Sequence, residues 1–173
     1  MKIEIKSRWD STVLFTCEAA SLLLALEAAR KTGANLGGAD LRSANLGGAN
    51  LGGANLRSAN LGGAKNSELA QAQTVILPEG NLVGWKKCIG NVIVKLLIPQ
   101  KALRSNATGR KCRANFVKVL RIFNGTEGFS QHDGKTLYRK GETVTCDTWN
   151  EDRWTECGGG IHFYLTRVEA ENN

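Results

Sequence analysis

The chain has 173 residues, of which 23 are Lys or Arg and 16 are Asp or Glu, so its formal net charge is +7. This length suits one domain or two small ones, and no apolar segment approaches the roughly 20 residues that a membrane-spanning helix needs. We therefore expect no contact with a membrane. The lack of a recognisable secretory signal and the five scattered cysteines favour a reduced, cytoplasmic protein.

The positive charge is concentrated in the C-terminal half of the chain. Residues 1–84 hold 8 basic and 7 acidic residues, a net charge of +1, whereas residues 85–173 hold 15 and 9, a net charge of +6. The stretch 86–121 contains ten basic residues and no acidic one. A basic surface of this kind favours an anionic partner. The alternative is that the acidic residues that follow fold back and neutralise the basic stretch.

Residues 1–33 are predicted to form a strand-and-helix unit. Residues 2–7 and 11–17 alternate as two short strands, with Val13 among the inward positions. Residues 18–31 then predict an amphipathic helix with one leucine-rich side. Gly33 is expected to end this helix, because glycine readily adopts the left-handed conformation that closes a C-terminus.

Residues 34–64 repeat with a period of five. Each unit carries Ala, then Asn or Asp, then Leu, and the predicted structural leucines are Leu36, Leu41, Leu46, Leu51, Leu56 and Leu61. Five residues turn through about 500° on an α-helix, and an odd spacing alternates faces on a flat strand, so neither element gathers these leucines. A chain that turns a corner once per unit would bring all the leucines to one interior, with Asn and Asp at the corners.

This pattern resembles the pentapeptide-repeat family, whose signature is A(D/N)LXX. The resemblance implies a right-handed, four-sided β-helix with one unit per side. Six clean units followed by a degenerate tail make about two coils, and both exposed ends of so short a coil need caps. We therefore predict an N-terminal strand/helix cap at 1–33 and a pentapeptide-repeat β-helix at 34–77.

Beyond a turn at 78–81, residues 84–173 are predicted to form a small β-rich (α+β) domain, so that the whole fold is mainly β. Thr166 is placed to N-cap a short final helix at 167–171. The strands predicted in this domain are 91–98, 111–123, 142–146 and 160–166.

The cap, the coil and the C-terminal residues together resemble pentapeptide-repeat proteins common in bacteriophages, in which a C-terminal domain of no assigned activity follows the coil. This resemblance implies a phage or prophage origin and action in the host bacterial cytoplasm. It supplies no biochemical activity. The residues that carry it are 84–88, 109–114, 152–154, 157 and 160–163.

The basic residues around 104–113 are the strongest indication of a binding site. They border a polar loop at 105–109, and arginine forks and loop amides both suit phosphate oxygens. A tryptophan nearby can stack a base. The predicted ligand-binding residues are Arg104, Arg110, Lys111, Arg113, Trp154 and His162. The alternative is that the tryptophans belong to the core and the arginines pair with the acidic residues between 147 and 156.

Cys157 and His162 allow two further interpretations. Their C-x4-H spacing is compatible with zinc if Cys112, Cys146 or His132 completes the site, and a Cys–His pair is compatible with nucleophilic catalysis. The chain has no C-x2-C pair, and both residues are equally compatible with a packed strand. We predict no metal, no catalytic residue and no cofactor.

The predicted function is that of a non-enzymatic, phage-encoded binding protein. The coil would act as a scaffold or an oligomer contact, and the basic domain would bind an anionic small molecule such as a nucleotide, sequestering an immune signal in anti-defence. The alternatives are an adaptor or inhibitor of a host enzyme, and an enzyme that uses Cys157 and His162. Specific DNA binding is not expected, and imitation of DNA would need a long acidic rod.

Overall fold

A computed structural model describes residues 1–51, 54, 56, 59–69, 72, 75–107, 109–153, 155 and 157–173. In these ranges the chain is mainly β, and no helix there is long and apolar enough to cross a membrane. The chain divides into two compact units. The N-terminal unit is made mainly of Met1–Val75, and the C-terminal unit consists of Ile76–Asn106, Arg110–Arg153 and Cys157–Asn173.

The N-terminal unit begins with an antiparallel hairpin of β1 (Lys2–Lys6) and β2 (Val13–Glu18), followed by α1 (Leu22–Lys31). The two predicted strands and the helix are thus confirmed. The predicted helix start at residue 18 is wrong, because Glu18 still pairs with Lys2 in the hairpin. The helix begins after Ser21, whose hydroxyl accepts the backbone N–H of Leu24 at 3.3 Å.

Two single-residue predictions for this segment have different outcomes: the one for Gly33 is confirmed and the one for Val13 is wrong. Gly33 follows the C-cap residue Thr32 with a φ of 69° and donates to the carbonyl of Arg30, as expected of a helix stop. Val13, by contrast, is exposed rather than inward. The hairpin register shifts at this point, from Ile5 opposite Phe15 to Lys6 opposite Val13, and the extra residue reverses the face that Val13 occupies.

The leucines of the repeat form the centre of the N-terminal core. Their side chains are at most 2% exposed, and this holds for Leu36, Leu41, Leu46, Leu51, Leu56 and Leu61. Each unit turns after its leucine, as when Ala39 donates to the carbonyl of Leu36 at 3.0 Å. The Asn side chains close local turns, as when Asn60 Oδ1 accepts the N–H of Gly62 at 2.9 Å.

Repeat units four apart are joined by parallel pairing. Asp40 forms a parallel bridge with Asn60, and Asn45 forms one with Lys65, so the paired positions are 20 residues apart. The N–H of Asn60 donates to the carbonyl of Ala39 at 2.9 Å, and the N–H of Lys65 donates to that of Ala44 at 2.8 Å. Four five-residue units therefore separate each strand position from its partner.

The C-terminal unit contains a four-stranded antiparallel sheet, a three-stranded sheet and a hairpin among the described residues. The first has the order β10-β7-β4-β3, the second β11-β6-β5, and the hairpin is β8-β9. The elements in chain order are β3 (Leu82–Lys87), β4 (Ile93–Ile98), β5 (Arg104–Asn106), β6 (Cys112–Ala114), β7 (Phe116–Phe123), β8 (Glu127–Phe129), β9 (Leu137–Arg139), β10 (Thr143–Thr145), β11 (Ile161–Phe163) and α2 (Arg167–Glu171).

Most of the elements predicted for this unit are confirmed, with shorter ends. The strands expected at 91–98, 142–146 and 160–166 correspond to β4, β10 and β11. The final helix, α2, has the predicted capping box: Thr166 accepts the N–H of Glu169, and the Glu169 carboxylate accepts the N–H of Thr166.

Two predictions for this unit are wrong. The single strand expected at 111–123 is interrupted at Asn115, because β6 pairs with β5 and β11 whereas β7 pairs with β4 and β10. The polar loop expected at 105–109 is a strand over its first two residues, since Ser105 pairs with Arg113 and Asn106 with Cys112. The first error arises from the partners β4, β10 and β11, which lie far away in the sequence, whereas the second arises from a local hairpin between β5 and β6.

Candidate functional site

Strand β3 directs a lysine towards the interior of the C-terminal unit. Leu82, Gly84 and Lys86 share the buried side of the strand, and Lys86 is only 7% exposed. Its ammonium donates to the backbone carbonyl of His162 at 3.3 Å and lies 5.6 Å from the centre of the Tyr138 ring. Burial lowers the pKa of Lys86. None of the ion pairs formed by the described residues includes Lys86, so no carboxylate neutralises this ammonium directly.

Gly84 allows β11 to lie close against β3. A Cβ atom at position 84 would stand 2.5 Å from the ring of Phe163 and 2.7 Å from Cδ1 of Ile98. The adjacent residues Trp85 and Tyr164 exchange two backbone hydrogen bonds of 2.7 Å. This close approach carries His162 to the side of Lys86.

The loop between β8 and β9 brings His132 against His162. The two imidazole rings meet edge to face, with their centroids 5.4 Å apart. Asp133 holds the loop in shape by accepting the backbone N–H groups of Lys135 at 2.9 Å and Thr136 at 3.0 Å. Burial alone would raise the pKa of Asp133, but these bonds and the Thr136 hydroxyl lower it below its usual range.

His162 is the most constrained titratable group of this region. It is 7% exposed, and its Nε2 atom is buried without a hydrogen-bond partner in the described part of the chain. Burial lowers its pKa to about 4, and the charges of Lys111 and Lys86 act in the same direction. The ring is therefore neutral at pH 7. An unbonded buried nitrogen is costly, and a polar ligand atom lodged against it would offset that cost.

Two cavities adjoin these residues and share Lys86, His132 and His162. The first, of about 250 Å³, is also lined by Lys87 and Lys111, and we call it the lysine–histidine groove. No carboxylate side chain is among the described residues that line it. The second, of about 210 Å³, is lined in addition by Asp133, Asp147, several hydroxyl groups and Gly158, Gly159 and Gly160, and we call it the acidic cavity.

The predicted ligand-binding residues are dispersed over the C-terminal unit. Lys111 and His162 meet in the lysine–histidine groove, whereas Arg104, Arg110 and Arg113 line neither cavity. Trp154 lies outside the described residues. Arg104 Nη1 donates to the carbonyl of Gly80, and Arg110 forms an ion pair with Glu169 on α2.

Arg113 is buried and holds backbone that includes Gly159, a residue of the acidic cavity. It is 1% exposed, and its guanidinium donates to the backbone carbonyls of Asn150 at 2.6 Å, Gly159 at 3.0 Å and Asp152. Its guanidinium carbon also lies 5.0 Å from the centre of the Trp149 ring. Arg113 therefore contacts Asn150, Asp152 and Gly159 through their backbone carbonyl groups and not through acidic side chains, and its part in ligand binding stays a prediction.

Cys157 lies apart from the buried groups. Its side chain is exposed, and its Sγ lies 3.6 Å from the Lys111 ammonium. Across the residues that the structure describes, no three His, Cys, Asp or Glu side chains are grouped so that they could hold a metal ion.

Lys86 and His132 are among the groove residues that were not predicted from the sequence to bind a ligand. For Lys86 a signal existed, because it continues the every-second-residue series of Leu82 and Gly84 and so falls on the inner face of a strand. For His132 the signal was weak, since only the turn residues around it indicated a loop.

The buried neutral state of His162 predicts a pH-dependent stability. An unfolded histidine takes up a proton near pH 6.5, whereas His162 in the folded protein does so only near pH 4. The stability that depends on this difference is present above pH 6.5 and is lost as the pH falls towards 4. We expect the free energy of unfolding to drop by about 2 kcal/mol between pH 7 and pH 5, measured by urea denaturation. His162→Gln should remove most of this drop, and His132→Gln should retain it.

Comparison with known proteins finds two family models that match parts of the chain. Residues 73–170, over half of the chain, match the model of a family of unknown function (DUF5758). Residues 34–65 match pentapeptide repeats (8 copies), which confirms the repeat. No curated protein and no solved structure matches the chain.

Proposed function

The chain belongs to the DUF5758 family, and from that premise we propose that its C-terminal unit is a binding module for a phosphate-bearing small molecule, held in the lysine–histidine groove without being transformed. One observation carries the proposal: the groove gathers Lys86, Lys87 and Lys111 with two histidines, and no carboxylate side chain among its described residues balances them. An anion entering the groove would supply a negative charge to lysines whose ammonium groups contact neutral acceptors, as Lys86 does at the His162 carbonyl and Lys87 at the Glu171 carbonyl.

The dimensions of the groove favour a compact anionic group. Its volume of about 250 Å³ lies below the range of roughly 300–1,000 Å³ usual for drug-sized ligands. A single phosphate group suits this space, with the rest of the ligand extending from it. We further propose that the protein acts in a bacteriophage setting, where the corresponding role is capture of a nucleotide immune signal. Capture needs affinity and no turnover.

The repeat would serve as the rigid support of this module. We propose that it forms a right-handed, four-sided β-helix of about two coils, with the hairpin and α1 as its cap. The support is the parallel pairing of positions 20 residues apart and the burial of every repeat leucine. A coil of this length has little surface of its own, so its use as a scaffold or an oligomer contact follows from its size.

Calorimetry on the full chain tests the binding proposal. A nucleoside 5′-monophosphate should bind and the matching nucleoside should not, because the groove recognises the anion. Lys111→Ala should weaken binding at least tenfold, since it removes a charge from the wall of the groove. Lys101→Ala is the control, because that ammonium lies over the Phe116 ring and lines neither cavity. Equal effects of the two variants, or no binding of any anion, would refute the proposal.

A second candidate function rests on the contact between Cys157 and Lys111. The Cys157 side chain is exposed and its Sγ lies 3.6 Å from the Lys111 ammonium, so a potential sulfur nucleophile stands beside a cation that attracts anionic substrates. Under this alternative, a covalent adduct on Cys157 should appear by mass spectrometry after incubation with an electrophilic phosphoester or thioester. Under the binding proposal, Cys157→Ser leaves affinity for the nucleotide unchanged.

A further inference from the structure

We propose that the acidic cavity is the second half of the same site and takes the hydroxyl-bearing part of the ligand, so that the preferred ligand class is a ribose phosphate and not a bare phosphate. This inference rests on the proposed function. Lys86, His132 and His162 line both cavities, so a ligand whose anionic group occupies the groove meets the acidic cavity on the other side of the histidine pair.

The two cavities have opposite chemistry. The groove presents ammonium groups, whereas the acidic cavity presents the carboxylates of Asp133 and Asp147 together with the hydroxyl groups of Thr136, Tyr138 and Thr148. Carboxylates only accept hydrogen bonds at neutral pH, so they select a ligand part that donates O–H or N–H groups. A bare anion is less favoured on this side, because two carboxylates accompany Lys86 there, whereas three lysines line the groove. A molecule with a phosphate at one end and vicinal hydroxyl groups at the other matches both.

Asp147 is the acceptor that the fold leaves available in the acidic cavity. The carboxylate of Asp133 is engaged by the N–H groups of Lys135 and Thr136 and by the Thr136 hydroxyl, which hold the His132 loop. The Asp147 side chain is exposed, and no hydrogen bond between described residues involves its carboxylate. Burial raises the pKa of Tyr138 far above its usual range, so its hydroxyl keeps its proton and can donate beside it.

Gly159 and Thr148 pack closely together in the wall of the acidic cavity. A Cβ atom on Gly159 would stand 2.5 Å from Thr148 Oγ1 and 2.7 Å from the Thr148 carbonyl oxygen. The glycine therefore lets the segment before Asn150 lie directly against the 158–160 turn. Arg113 fixes both sides of this contact through the carbonyls of Asn150 and Gly159. Asp147, one residue before Thr148, is thereby held at the edge of the cavity.

The charge pattern also predicts that the two ends of the ligand cannot exchange places. A phosphate in the acidic cavity would meet Lys86 but also the carboxylates of Asp133 and Asp147, and a neutral diol in the groove would bring no negative charge to its three lysines. His162, nine-tenths buried and with an unbonded Nε2, is common to both halves. It offers a polar contact at the junction of phosphate and sugar.

Calorimetric titration of the full chain with inorganic phosphate, ribose 5-phosphate and ribose tests this inference. We expect ribose 5-phosphate to bind at least tenfold more tightly than inorganic phosphate, and ribose alone not to bind. Asp147→Asn should remove the tenfold advantage while leaving inorganic phosphate as tight or tighter, because a repelling charge is lost. Glu142→Gln is the matched control, since it removes one exposed carboxylate that lines neither cavity.

The outcomes separate the two proposals. If inorganic phosphate binds and ribose 5-phosphate binds no more tightly, the acidic cavity is not a sugar subsite and the proposed anion site stands. If Asp147→Asn weakens both ligands equally, the subsite is also overturned. If neither phosphate compound binds, the proposed function fails and this inference fails with it.

Discussion

Replacement of Arg113 by alanine should lower the free energy of unfolding by about 4 kcal/mol, the larger of the two effects expected on stability. The guanidinium is buried and donates to three backbone carbonyls, so the substitution removes three hydrogen bonds at once. An unsatisfied buried acceptor costs about 1–3 kcal/mol, and the contact with Trp149 is lost as well. Arg113→Lys should recover only part of this, because an ammonium cannot reproduce the planar fork.

Arg110→Ala provides the control for the Arg113 variants. It removes the same side chain three residues earlier, but Arg110 is 54% exposed, and among the described residues its ion pair is with Glu169. Exposed pairs contribute about 0–1 kcal/mol. Urea denaturation of both variants should therefore separate them by about 3 kcal/mol. Similar losses in the two variants would show that the buried carbonyl contacts do not stabilise the 149–159 segment.

Replacement of Lys86 by methionine should affect binding and stability in opposite directions. Methionine has a similar length and fills the same space, but it removes an ammonium whose burial is unfavourable, as its lowered pKa indicates. We expect the free energy of unfolding to rise by about 1 kcal/mol, because relief of the desolvation cost exceeds the loss of one hydrogen bond to the His162 carbonyl. Affinity for a nucleoside monophosphate should fall by a hundredfold or more.

Lys118→Met is the matched control for the Lys86 variant. It removes the same charge from an exposed position on β7, so it reports the effect of net charge alone. Both its binding and its stability should remain close to those of the unchanged protein. If Lys86→Met lost stability and kept affinity, Lys86 would be a structural residue and the groove would not be the binding site.

Local sequence pattern was sufficient for the five-residue repeat and for the ends of the two helices that glycine and the capping box mark. The five-residue period identified the repeat and its buried leucines, because every unit makes the same turn and meets a unit of the same composition. Gly33 as a helix stop and the capping box at Thr166 were also predictable from the sequence, since both depend on bonds within one helical turn. The basic stretch 86–121 lies in the unit that contains the lysine–histidine groove, but its pattern did not identify the residues that line the groove.

The site itself was decided by the tertiary structure. The division of 111–123 into β6 and β7, the burial of Arg113 and the meeting of Lys86, His132 and His162 all depend on strands and loops that pair across tens of residues. The positions of charged residues in a sequence do not show whether an arginine faces solvent or donates hydrogen bonds to backbone carbonyls. The sequence by itself therefore determined the five-residue repeat and the location of the positive charge. The fold alone decided which cations line the groove, because only the approach of β11 to β3 across Gly84 brings them together.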